Sequence, residues 1–153
     1  HRHFSEVNVS DFLSHLQQSF HNEDCAHFLL DRQAIYRDWA ITAAFYAEVH
    51  LAEACFTGVT GLGHTETRRG KSEAHAFREE TILLLARDAY KNYRKLRVAS
   101  QNVRYLTGEA SDTDRLARFY DTNVAGKLVR GNLVDLRNEL QAAFGVDLSR
   151  GQS

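Results

Sequence analysis

The chain has 153 residues, of which 43% are hydrophobic and 25% charged, and its net charge at pH 7 is −1. These values are ordinary for a soluble globular protein and predict a single domain over residues 1–153, with residues 1–9 either disordered or foreign to the natural chain. The balanced charge gives no general sign of a nucleic-acid or membrane partner, although a local basic patch is compatible with it. No apolar run approaches the roughly 18 residues of a membrane-spanning helix, and no signal-peptide pattern is present, so we expect a cytoplasmic protein.

The first helix is predicted from Ser10 and Asp11, which form a suitable start, to an end near His21 and Asn22. Apolar side chains recur at helical spacing between these points. Residues 23–32 are predicted to form a further helical turn that leads into the next segment. The absence of proline from the chain favours long uninterrupted helices.

The central helix is predicted over residues 36–56, which contain no glycine and are apolar on most of the helix circumference. Such a helix should be surrounded by others, and we expect Trp39 on one of its buried sides. Its polar residues, Glu48, His50 and Glu53, are predicted to share one narrow arc. Cys25 and Cys55 are interpreted as reduced core thiols, because two cysteines at this spacing form neither a disulfide framework nor a metal motif.

The polar arc could hold a metal or carry out acid–base chemistry. However, its order is His-x-x-Glu, whereas di-metal bundles use Glu-x-x-His on two helices, and no second helix offers a matching pair. A hydrogen-bonded core histidine is therefore the favoured interpretation, and we expect no metal and no cofactor.

Three glycines within residues 57–63 predict a loop after the central helix. A short polar helix is predicted over residues 72–80, and a second long helix over residues 81–106. The last helix should begin at Ser111 or Asp112 and end at Gly145, with kinks at Gly126 and Gly131. No segment alternates with period two, so the fold class is all-α, with about five helices and antiparallel neighbours.

Two basic segments are candidates for anion binding. The first is the loop that carries His64, Arg68 and Arg69, which is either a phosphate clamp or a solvated basic loop. The second combines basic and aromatic residues, a composition that suits single-stranded nucleic acid but equally suits a solvated helix face whose arginines pair with carboxylates. Its members are Tyr93, Arg94, Lys95, Arg97, Arg104 and Tyr105.

Residues 37–106 resemble the HEPN family (higher eukaryotes and prokaryotes nucleotide-binding), in particular its bacterial stand-alone members. The likeness rests on the order Asp-Trp, Phe-Tyr-x-x-x-His, His-x-x-x-Arg and Tyr-x-x-Leu-x-x-x-Ser-x-x-x-Arg-Tyr. The matching positions are Asp38, Trp39, Phe45, Tyr46, His50, His64, Arg68, Tyr93, Leu96, Ser100, Arg104 and Tyr105.

The resemblance implies an up-and-down bundle of four to five helices and a homodimer. Many family members are metal-independent endoribonucleases in toxin–antitoxin or defence systems, often beside a nucleotidyltransferase-type antitoxin, whereas others bind nucleotides or serve as scaffolds. Catalytic members carry Arg, four to six residues, then His. Here the residue five positions after Arg97 is Asn102, and no histidine follows His75. An amide cannot move a proton as imidazole does near neutral pH, so the usual catalytic motif is absent.

Three functions follow in order of preference. The first is binding of RNA or a nucleotide through His64, Arg68, Arg69, Arg97, Asn102, Arg104 and Tyr105. The second is a non-enzymatic scaffold or partner-binding bundle, in which the arginines form salt bridges. The third is a metal-independent endoribonuclease with a rearranged site, for which His50, His64 and Arg104 are the catalytic candidates.

Overall fold

The computed structural model describes residues 2–32, 36–59, 62, 65, 73–105 and 120–151, except for the side chains of residues 2–9 and of Tyr105. Every regular element within these ranges is a helix, which confirms the all-α prediction and the helical-bundle architecture. None of these helices is both long enough and apolar enough to cross a membrane.

The first two helices form an antiparallel pair. Helix α1 covers Arg2–Arg32 and helix α2 covers Arg37–Gly58. The hydroxyl of Ser19 donates to the carbonyl of Ala47 at 2.8 Å, and His15 contacts His50, so residue numbers rise along one helix as they fall along the other. This pairing covers one side of α2 and leaves a groove between the two helices.

Helix α1 differs from its prediction at both ends. It begins at Arg2, before the predicted start at Ser10, and it continues past the predicted end at His21 and Asn22. No proline or glycine interrupts it, and the predicted stop residue Asn22 accepts a hydrogen bond from Gln18 one turn earlier at 3.1 Å. The predicted separate turn over residues 23–32 is therefore the second half of one helix.

Helices α3, Ala74–Leu85, and α4, Arg87–Tyr105, meet at Ala86. The sequence placed this boundary between Glu80 and Thr81, and that placement is wrong. Ala86 leaves the helical region with φ −141° and ψ 58°, although its N–H still donates to the Ile82 carbonyl at 2.7 Å. Since alanine is the strongest helix former, its own preference gives no signal of the break.

The last helix is continuous but not uniform. It consists of α5 (Thr122–Gly126), a wider π-helical segment (Lys127–Asn132) and α6 (Leu133–Phe144). In place of predicted kinks at Gly126 and Gly131, the structure has this π-helical segment. The predicted end is confirmed, because Gly145 adopts a left-handed conformation with φ 66° that favours glycine. The predicted start of this helix at Ser111 or Asp112 is wrong, because Asp121 has an extended backbone with ψ 175° and its side chain accepts from the Val124 N–H, so the helix begins at Thr122. Ser111 and Asp112 themselves lie outside the described residues.

Helix α2 lies at the centre of the core, as its apolar circumference predicts. Ile41, Phe45, Leu51 and Phe56 are almost completely buried, and residues of α1, α4 and α6 pack around them. Two expectations are wrong. The side chain of Trp39 is 61% exposed, and Cys25 is exposed, whereas Cys55 is buried as expected. Both cysteines are free thiols.

Candidate functional site

The N-terminal half of α2 and its N-cap residue, Tyr36, carry large aromatic side chains on the surface. Trp39 is 61% exposed, Tyr36 40% and Tyr46 39%. Because Trp39 and Tyr46 are seven residues apart, about two turns, they lie on the same face of the helix. Exposed aromatic residues that share a face are a common mark of a binding surface.

Two adjoining clefts open beside these aromatic residues. The first, which we call the α2–α4 cleft, has a volume of about 280 Å³ and is lined by Asp38, Trp39, Thr42, Val103 and Arg104. The second, the α1–α2 groove, has a volume of about 540 Å³. Its lining residues are Asn22, Cys25, Leu29, Tyr36, Trp39, Thr42, Ala43, Tyr46 and His50. Trp39 and Thr42 line both clefts, so the two spaces form one continuous surface.

Arg104 supplies a positive charge at the α2–α4 cleft. Its Nη1 donates to the hydroxyl of Tyr46 at 3.2 Å, and its Nε donates to the Ser100 carbonyl at 3.3 Å. The guanidinium carbon lies 5.4 Å from the centre of the Phe45 ring and 5.6 Å from that of Tyr46. The two hydrogen bonds hold the guanidinium beside the exposed aromatic residues of α2. Both distances to the ring centres are within the range in which cation–π attraction acts.

His50, which lines the α1–α2 groove, contacts His15 of α1. The Nδ1 atoms of His15 and His50 are 2.9 Å apart, so one donates a proton and the other accepts it. Burial lowers the pKa of His50, and the positive charge of Arg78 lowers it further, whereas Glu53 opposes the shift. His50 therefore favours its neutral form, in which imidazole can act as a base.

The predicted polar arc of α2 is wrong, because its three residues face different neighbours. At about 100° per residue, Glu48 lies roughly 140° around the helix from Glu53. Glu53 accepts hydrogen bonds from Arg78 Nε at 2.9 Å and from the Thr65 backbone N–H at 3.1 Å, while His50 reaches α1.

Glu48 occupies the interior beside α3 and α4. It is completely buried, and neither of its carboxyl oxygens has a hydrogen-bond partner within the described ranges. Burial raises its pKa well above the usual value, the negative charge of Glu79 adds to this, and Arg97 and Arg78 act in the opposite direction. In the part of the chain that the structure describes, no three His, Cys, Asp or Glu residues cluster as metal ligands would.

The other predicted binding residues of α4 make contacts within the protein. Arg97 Nε lies 2.5 Å from Glu79 Oε2, and Arg94 binds the other oxygen of the same carboxylate at 3.1 Å. The side-chain amide of Asn102 donates to the hydroxyl of Tyr120 at 2.9 Å. Of the predicted binding residues of α4 whose side chains the structure describes, Arg104 lines the α2–α4 cleft, whereas Arg97 and Asn102 do not.

The remaining predicted residues fall outside what the structure describes. These are His64, Arg68 and Arg69 of the basic loop, together with the side chain of Tyr105. Sequence reasoning did not select Asp38, Trp39 or Tyr46 as site residues, although all three belong to the HEPN-like pattern. His15 carried no sequence signal, because its role depends on the register between two helices.

The chain matches no protein family profile, no curated protein and no solved structure.

Proposed function

We propose that the protein binds single-stranded RNA or a nucleotide in the α2–α4 cleft and the adjoining α1–α2 groove. The observation that carries this proposal is the exposed indole of Trp39 in the same cleft as the guanidinium of Arg104. An aromatic side chain contributes about 1–3 kcal/mol for each base that stacks on it, independently of base identity. A guanidinium binds phosphate oxygens through planar, charge-assisted hydrogen bonds.

The HEPN-like pattern supports the same location. Five of its positions, which are separated in sequence, line the two clefts: Asp38, Trp39, Tyr46, His50 and Arg104. We therefore include the wider implications of the resemblance in the proposal: a HEPN-like bundle, a homodimer, a cytoplasmic location, and a toxin–antitoxin or defence setting with a nucleotidyltransferase-type antitoxin. The coding sequence of the neighbouring gene tests the last of these directly.

Binding is tested by fluorescence anisotropy of a labelled single-stranded RNA, at low salt because charge contacts are strongest there. We expect saturable binding that Arg104→Gln weakens about tenfold or more, which corresponds to about 1.4 kcal/mol. Arg130→Gln is the control for loss of a positive charge, since Arg130 lines neither cleft and pairs with Asp31 on α1. Wild-type protein that binds neither RNA nor nucleotides would overturn the proposal and favour the scaffold function.

A second function, RNA cleavage, is favoured by the contact between His15 and His50. In metal-independent cleavage the ribose 2′-oxygen attacks phosphorus as the bond to the 5′-oxygen breaks. One imidazole takes the 2′-hydroxyl proton, and a protonated imidazole supplies a proton to the leaving 5′-oxygen. His15 and His50 could divide these two tasks, with His50 as the general base, because its lowered pKa favours the neutral imidazole that accepts a proton.

Cleavage is tested with the same RNA in the presence of EDTA. The endoribonuclease proposal predicts product that His15→Ala and His50→Ala each abolish, while His21→Ala, which alters an exposed histidine of α1, leaves the rate unchanged. Binding without any product would leave the protein a nucleic-acid binder. Equal cleavage by all three variants would assign the activity to a contaminant or to another site.

A further inference from the structure

We propose that the α2–α4 cleft selects guanine, through Asp38, over the other bases. This inference rests on the proposed nucleotide binding and assigns its base specificity. Asp38 and Trp39 are consecutive residues of α2 and line the same cleft. A base stacked on the indole therefore has its edge beside a carboxylate.

The carboxylate of Asp38 is poorly satisfied by the protein. Its Oδ1 is buried and has no hydrogen-bond partner among the residues that the structure places. The residue lies in the first turn of α2, where the helix dipole stabilises negative charge. The torsion about Cβ–Cγ of an aspartate is soft, and the proposal requires a rotation that turns Oδ1 from its buried position toward a ligand in the cleft.

An ionised carboxylate accepts hydrogen bonds and donates none. The Watson–Crick edge of guanine offers two adjacent donors, N1–H and the 2-amino group, which match the two oxygens of a carboxylate. Adenine and cytosine each place an acceptor beside their single amino group, and uracil flanks its N3–H with two carbonyls. These acceptors would face the negative charge, so guanine is the base that pairs with both oxygens without repulsion.

The opposite wall of the cleft determines the orientation of the nucleotide. Arg104 on α4 lines the cleft opposite the α2 residues, and its positive charge attracts phosphate, whereas Asp38 repels it. The guanine edge therefore points toward Asp38 and the phosphate toward Arg104. A volume of about 280 Å³ is sufficient for one base, which makes the cleft a site for a single nucleotide unit.

The specificity is tested with nucleoside monophosphates, whose binding is read by quenching of Trp39, the single tryptophan of the chain. We expect GMP to bind at least about tenfold more tightly than AMP, CMP or UMP, which is about 1.4 kcal/mol. IMP, which lacks the 2-amino group, should fall between GMP and AMP.

The variant Asp38→Asn should change which base is preferred, rather than only weaken binding. An asparagine amide both accepts and donates, which matches the N1–H donor and the 2-carbonyl acceptor of xanthine. We therefore expect Asp38→Asn to bind XMP more tightly than GMP, whereas wild type prefers GMP. Asp88→Asn is the matched control, because Asp88 lies in the first turn of α4 and does not line this cleft.

The outcomes separate this inference from the proposal on which it rests. If no monophosphate and no RNA binds, the proposed function fails. If every base binds equally to wild type and Asp38→Asn changes nothing, nucleotide binding stands and the guanine inference is refuted. A preference for XMP in Asp38→Asn that Asp88→Asn does not share would establish that this carboxylate reads the base.

Discussion

Two arginines on the same helix should respond to neutralisation in opposite ways. Arg97 pairs with Glu79, whose side chain is 10% exposed, whereas Arg104 lines the α2–α4 cleft. We expect Arg97→Gln to lower stability and retain RNA binding. We expect Arg104→Gln to retain most of the stability and to lose binding.

The loss of stability expected for Arg97→Gln depends on the ionic partners that remain for the Glu79 carboxylate. Glu79 would keep one ionic partner, Arg94, whose side chain is 53% exposed. Removing one member of a fully buried pair costs about 3–5 kcal/mol, and the remaining partner should reduce this to about 2–3 kcal/mol. For a chain of this length that is a fall in Tm of roughly 4–12 °C.

The loss at Arg104 should be smaller. Its hydrogen bond to Tyr46 is exposed to solvent, and its ring contacts are partly so. Such contacts contribute about 1 kcal/mol or less, which corresponds to a fall in Tm of no more than roughly 4 °C. Tm is measured by circular dichroism and binding by anisotropy on the same preparations.

A double variant tests the origin of the effect at Arg97. When Glu79→Gln is added to Arg97→Gln, the carboxylate of Glu79 is no longer left with incomplete pairing, so part of the lost stability should return. The reasoning is refuted if Arg97→Gln keeps its Tm but loses binding while Arg104→Gln does the reverse. That pattern would mean that Arg97 is the RNA contact and Arg104 the structural residue.

Two further predictions concern pH and a third concerns the surface of α2. The pKa of Glu48 is raised in the fold, so its contribution to stability decreases as pH rises above 4.5, by up to about 1.4 kcal/mol per pH unit. Glu48→Gln should remove this contribution to the pH dependence of urea midpoints measured between pH 5 and 8. The pKa of His50 is lowered, so its contribution is complete above pH 6.5 and decreases as pH falls below that value. The stability of wild type relative to His50→Gln should therefore increase with pH between 5 and 6.5, and a difference that stays constant over this range would contradict the assigned shift. Because Trp39 is 61% exposed, Trp39→Ala should change the free energy of unfolding by less than about 1 kcal/mol, whereas a loss above about 3 kcal/mol would show that its indole is part of the core.

Sequence reasoning succeeded where one segment determines its own structure. Helix α2 was predicted over residues 36–56 and covers Arg37–Gly58, because a long apolar segment without proline or glycine has few alternatives to a buried helix. The end of the last helix at Gly145 was predicted because a left-handed C-cap favours glycine.

The errors arose where neighbouring elements decide the outcome. Hydrophobicity placed Trp39 in the core, but a side chain is buried only if another helix covers it, and here it lines an open cleft. The boundary at Ala86 depends on how α3 and α4 pack, which local propensity does not encode.

The candidate site was partly visible in the sequence. Arg104 was selected by its basic and aromatic surroundings, but its contact with Tyr46, 58 positions away, exists only in the folded chain. The same holds for His15 and His50, which are 35 positions apart and meet because α1 and α2 are antiparallel in one particular register. The spacing of residues within one helix predicts which of them share a face. A site between two helices also depends on how the helices are aligned with each other, which this spacing does not predict.

The central claim, that Trp39 stacks against a base in the α2–α4 cleft, is tested most directly by the fluorescence of this single tryptophan. Purified protein is titrated with single-stranded RNA at low salt in the presence of EDTA. We expect saturable quenching of the indole emission that Arg104→Gln weakens and Arg130→Gln leaves unchanged. Emission that stays constant while anisotropy reports bound RNA would show that RNA binds elsewhere, and would contradict this assignment of the site.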